Sequence, residues 1–74
     1  MAINSQKTGK GYNMDKIIIM LETRNDAFSP EPGTEAARIL RELADKIDGM
    51  TTAPDEPLNL RDANGNKCGM VQIQ

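Results

Sequence analysis

The apolar residues of this chain fall into three patterns separated by polar stretches. In Lys16–Thr23, KIIIMLET, three β-branched isoleucines follow one another between a lysine and the polar run Arg24-Asn25-Asp26, which predicts a first strand. Period two places Ile17, Ile19 and Leu21 on one face and Ile18, Met20 and Glu22 on the other. Both faces are apolar at the middle, the mark of a central strand or of a second face that meets something.

The second pattern is helical. Ala36, Leu40, Leu43 and Ile47 recur at spacings of four, three and four, flanked by Ala37, Ile39 and Ala44, and form one apolar stripe. Ser29 before Pro30 fits an N-cap followed by proline at the first helical position; Thr34, beyond Gly33, is a second candidate start. Under either choice Glu31 and Glu35 lie near the positive end of the helix dipole, and Gly49 supplies a left-handed C-cap. Arg38 with Glu42, Arg41 with Asp45 and Glu42 with Lys46 are i,i+4 pairs worth a few tenths of a kcal/mol each, and read as a solvated helix face.

The third pattern follows the loop at 50–57. Leu58–Asp62 and Lys67–Ile73 alternate on either side of Ala63-Asn64-Gly65-Asn66, and the central Asn-Gly predicts a hairpin closed by a two-residue type I′ turn. That turn sets Ala63 opposite Asn66, Arg61 opposite Cys68, Leu60 opposite Gly69 and Leu58 opposite Val71. Leu58, Leu60, Val71 and Ile73 then share a face with Gly69, where a helix has room to approach; Asn59, Arg61, Cys68 and Met70 share the other.

Together the patterns predict a single α+β domain over 14–74, in the order β-α-β-β, with a three-stranded, mainly antiparallel sheet and one helix packed on one face. The first strand is expected antiparallel beside the third, with the second at an edge; a parallel pairing with the second through a right-handed crossover is the alternative. Residues 1–13, polar and without periodicity, read as a disordered tail. With Met14 directly before the strand they have the look of an upstream-start extension, inert or serving as an arm whose Lys7 and Lys10 touch an acidic partner. One helix covers one face of a sheet, so Ile18, Met20, Cys68 and Met70 are left as an apolar group on the other, the expected interface with a second copy or with another protein.

Composition narrows the chemistry. Seventy-four residues make one domain, which at this size buries only about 60% of the surface its unfolded chain exposes. There is one cysteine and no histidine. An internal disulfide, the common zinc ligand sets, His-based acid–base catalysis and Ser-His or Cys-His nucleophiles are therefore excluded, and a homodimer is the expected staple. A net charge of −2 is neither the basic excess of a nucleic-acid binder nor the acidity of a DNA mimic. The lone thiol and the lack of an apolar N-terminal run suit a soluble cytoplasmic protein, and the Ile17–Leu21 run is far too short to cross a bilayer.

No catalytic, cofactor or metal site is expected from the remaining constellations. Gly9 and Gly11 flank Lys10 without a preceding strand or following helix. Asp62 to Asn66 places oxygens at alternate positions, as a calcium loop does, but has no bidentate glutamate, and the hairpin accounts for every residue. Cys68 has no base beside it and reads as a packing residue. Arg24, Arg61 and Lys67 offer a small basic edge for nucleic acid, with one Tyr and one Phe in the chain and hence no stacking platform.

The phrases AARILRELADKI and LRDANGNKCGMVQI, with the strand KIIIMLET and the turn DAFSPEP, resemble a group of short proteins encoded by phages, prophages and plasmids. That group shares a strand, a helix of the ARILRELAD type and a C-terminal LRDxNGNxVG hairpin; the likeness spans about 15–74, and Cys68 stands where the group has an apolar residue. The resemblance implies an accessory protein of a mobile genetic element and assigns no catalytic residue. The expected function is stoichiometric binding to a host or phage protein, with inhibition of a bacterial defence system of the CRISPR or restriction kind as its concrete form. A small dimeric nucleic-acid-binding regulator and a minor virion or assembly component are the alternatives.

Overall fold

The computed structural model describes residues 14–74; the tail expected over 1–13 lies outside them. In chain order the elements are β1 (Ile17–Leu21), a 3-10 turn (Asp26–Phe28), α1 (Pro32–Ile47), β2 (Leu58–Arg61) and β3 (Lys67–Ile73). They make a small α+β fold whose sheet runs β1-β3-β2, antiparallel at both pairings. The hairpin commits one side of β3 to β2, and β1 adds to the side still open, so the crossover alternative does not occur.

The helix starts where its prolines allow. A residue before proline is held out of the α region. Ser29, before Pro30, is extended at φ −102, ψ 141, and Glu31, before Pro32, sits at φ −121, ψ 83, so α1 begins at Pro32. Neither expected cap is used: Ser29, joined to Pro30 by a cis bond, closes the 3-10 turn by donating its N–H to the Asp26 carbonyl at 3.0 Å, and Thr34 lies inside the helix, its hydroxyl donating to the Glu31 carboxylate at 3.2 Å. At the other end Gly49 takes the left-handed conformation expected of it, φ 92.

Phe28, Ile39, Leu43, Leu60, Cys68, Val71 and Ile73 form the buried core. The line of α1 that faces the sheet is Glu35-Ile39-Leu43, spaced by four, which turns Leu40 out to 41% exposure. Phe28, from the 3-10 turn, fills the space beside the helix and is 2% exposed.

The hairpin loop is one residue longer than a type I′ turn. The Gly65 N–H donates to the Asp62 carbonyl at 2.9 Å and the Asp62 N–H to the Asn66 carbonyl at 2.9 Å, leaving Ala63, Asn64 and Gly65 as a three-residue loop with Gly65 at φ 86. The Asp62 carboxylate supports it by accepting from the Asn64 and Asn66 amides at 2.9 and 3.0 Å. Arg61 consequently pairs with Lys67 rather than Cys68. One step on β2, Arg61 to Leu60, then matches two on β3, Lys67 to Gly69, so Cys68 is the extra residue of a β-bulge. The bulge restores the expected pairs Leu60–Gly69 and Leu58–Val71, and it re-aims Cys68.

Candidate protein-binding surface

β1 is the most exposed apolar segment of the described residues. α1 lies over the β2–β3 side of the sheet, so Ile17 and Ile19, expected beneath the helix, are 42% and 45% exposed. On the opposite face Ile18 is 42% and Met20 60% exposed. Four consecutive large apolar side chains thus project from both faces of one strand.

The backbone of β1 is half used as well. Lys16 and Gln74 exchange both hydrogen bonds, at 2.7 and 2.9 Å, and the Glu22 N–H reaches the Cys68 carbonyl at 2.7 Å. With the register Ile18–Gln72 and Met20–Met70, the even-numbered residues of β1 bond to β3. Antiparallel alternation then turns the N–H and C=O groups of Ile17, Ile19 and Leu21 outward, along an edge of the sheet that no other strand of the described residues covers. The other edge is managed differently: β2 has four residues, follows Pro57 and carries Arg61 beside the bulge, all devices that discourage strand addition. β1 has none of them between Ile17 and Leu21.

Of the four residues expected on the uncovered face, three lie there. Met70, half-buried on β3, is the register partner of Met20, and Ile18 stands two positions along β1 from it. Cys68 does not. The bulge turns it into the core, where it is 5% exposed and its thiol donates to the Leu60 carbonyl at 3.6 Å. Burial pushes the thiol pKa up, with Asp62 and Glu35 adding to the effect. A shallow depression on this face is lined by Met20, Glu22, Lys67, Gly69 and Met70, and the nearly buried Cys68 also borders it.

The three basic candidates are not one patch. Arg61 and Lys67 are direct register partners, and the Arg61 guanidinium donates to the Gly65 carbonyl at 3.2 Å. Arg24 instead reaches Glu22 at 3.6 Å, both side chains well exposed, and Glu22 lies in the same depression as Lys67. An acid therefore interrupts the basic edge.

A polar network that sequence patterning misses ties the fold together behind this surface. Glu35 accepts two bonds from the Arg38 guanidinium, at 2.9 and 2.7 Å, and one from the Ala63 N–H at 2.8 Å. Asp62 accepts from the Asn25 amide at 2.9 Å as well as from its own loop. Arg38 above all holds the Glu35 carboxyl below its ordinary range, helped by Ala63; Asn25 above all does so for Asp62, helped by Asn66 and Asn64. With their oxygens committed to amides and a guanidinium, both buried acids serve the packing of the hairpin loop on the helix. The one sequence signal for this was Glu35 at i−4 from Ile39, on the buried line of α1.

No helix among the described residues is long and apolar enough to cross a membrane. Comparison with protein families, with curated proteins and with solved structures gives no match to this chain.

Proposed function

We propose that this chain is a non-enzymatic binding protein of a mobile genetic element, acting one-to-one on a host or phage protein in the bacterial cytoplasm. Inhibition of a defence system, of the anti-CRISPR or anti-restriction kind, is the form that suits its size and its likeness to phage and plasmid proteins. The observation that carries the reading is the apolar surface around β1, where Ile18 and Met20 remain exposed in a domain too small to leave such area idle. The test is affinity capture from the native host's lysate with wild type and Met20→Glu as baits. One protein retained at equal stoichiometry by wild type and lost by the folded variant is the expected result; no enriched protein, or equal retention by both, overturns the reading.

A nucleic-acid-binding regulator is the second reading, favoured by Arg61 and Lys67 standing opposite one another. Their like charges on paired strands are tolerated only where water or an anion screens them. A mobility-shift titration at low salt against duplex and single strands decides it, and absence of any shift removes it.

A further inference from the structure

We propose that the edge of β1 pairs antiparallel with β1 of a second copy, about a two-fold axis at Ile19, joining two sheets into one of six strands. This rests on the reading of β1 as a binding surface and commits that edge to one occupant. Three observations select the partner and the register.

The hydrogen-bonding phase comes first. Only residues whose N–H and C=O point outward can bond across the edge, and these are Ile17, Ile19 and Leu21. A two-fold at Ile19 sets Ile19 against its own copy and Ile17 against Leu21, so outward residues meet only outward residues. The pairing satisfies every outward group of the strand.

Charge then separates this register from its neighbours of the same phase. Lys16 and Glu22 lie three residues to either side of Ile19, on the same face, and the two-fold brings each directly opposite the other on the partner strand. A centre at Ile18 sets Lys16 against Met20, and one at Met20 sets Ile18 against Glu22 and Lys16 against Arg24. Opposite charges across a strand pair attract, and a buried apolar side chain against a carboxylate does not. The present neighbour of Glu22 is Arg24 at 3.6 Å, a solvated contact that does not hold Glu22 away from a second cation.

Apolar continuity is the third. Between Lys16 and Glu22 every residue is apolar, so Ile18 meets Met20 on one face while Ile17, Ile19 and Leu21 interleave on the other. Glu42 and Lys46 line the groove between α1 and β2. Leu40, at 41% exposure, lies on the opposite flank of the helix and adds a further exposed apolar side chain to the molecule.

The test is the solution mass of the full chain, by sedimentation across a concentration series, for wild type, Lys16→Glu, Glu22→Lys and the double exchange. Each single reversal turns two symmetry-related attractions into repulsions, so each weakens the dimer about tenfold or more at low salt, and the double exchange restores it. In parallel, amide hydrogen exchange of wild type reads the edge directly. Ile17, Ile19 and Leu21 become as slow as Ile18 and Met20 when concentration drives dimerisation. Monomeric wild type, a dimer indifferent to both reversals, or fast exchange at those three amides in the dimer each overturns the proposal. A monomer that still captures a host protein sinks self-pairing alone and leaves the binding function standing.

Discussion

Cys68 and Gly69 are neighbours in β3 that answer different packing demands. A Cβ on Gly69 would collide with the Met20 carbonyl oxygen and press on the Leu21 Cα at 3.0 Å, so glycine is required there by the backbone of β1, not by the helix. Because backbone cannot step aside as a side chain does, Gly69→Ala is expected to destabilise the fold by about 1–3 kcal/mol, read as a shift in the urea midpoint. Cys68 reaches the core only because the bulge turns it inward. As a buried thiol with a raised pKa it is expected to react with a disulfide reagent about a hundredfold slower in native buffer than in urea. Equal rates would return Cys68 to the outer face.

Between elements, the joint of α1 with the hairpin loop is polar. Glu35 from the helix and Asp62 from the loop are both buried, and each holds the other element's backbone or a side chain from before the helix. Their folded pKa values lie below the ordinary 4.5 and 3.8, so in acid the unfolded chain binds more protons than the folded one. Stability from these groups is complete above those ordinary values and is lost as pH falls through the lower folded ones. Thermal melts are therefore expected to be flat from about pH 8 to 6 and to decline below about pH 4.5. Asn25→Ala, which removes the main cause of the Asp62 shift, is expected to lower the melting temperature at neutral pH and make the acid decline shallower. An unchanged acid slope in that variant would assign the decline to other carboxylates.

At the scale of the molecule, the core is gathered under one side of the sheet and β1 extends beyond it. Phe28 closes the core next to α1, and its loss leaves a large cavity in a domain with little stability in reserve. Phe28→Ala is expected to cost about 3–5 kcal/mol, enough to leave much of the chain unfolded in calorimetry at 25 °C. Met20 is 60% exposed, so the melt of Met20→Glu is expected to stay within a few degrees of wild type while association is lost. A collapse of the fold in Met20→Glu would instead place that side chain in the core. Covering one side of the sheet thus leaves the apolar side chains of β1 exposed among the described residues.

The strand order, a helix running to Ile47, the Gly49 stop and the pairs Leu58–Val71 and Leu60–Gly69 could all be read from the chain, because each rests on local periodicity or on a turn residue with few conformations, whereas the helix start at Pro32 was neither of the two expected. Ile18, Met20 and Met70 were placed on the outer face for the same reason. What local rules could not supply were the effects of contacts distant in sequence. Where the helix rests on the sheet decides that Ile17 and Ile19 are exposed while Ile39, not Leu40, is buried. The Asp62 carboxylate, holding amides of a wider loop, shifts the hairpin by one residue and thereby sends Cys68 inward. Alternation alone assigns a face to every strand residue, but it has no term for a bulge set by a loop or for the reach of a single helix across three strands. Those two facts of tertiary packing set Cys68 in the core and leave Ile17 and Ile19 exposed beside the expected face residues Ile18 and Met20.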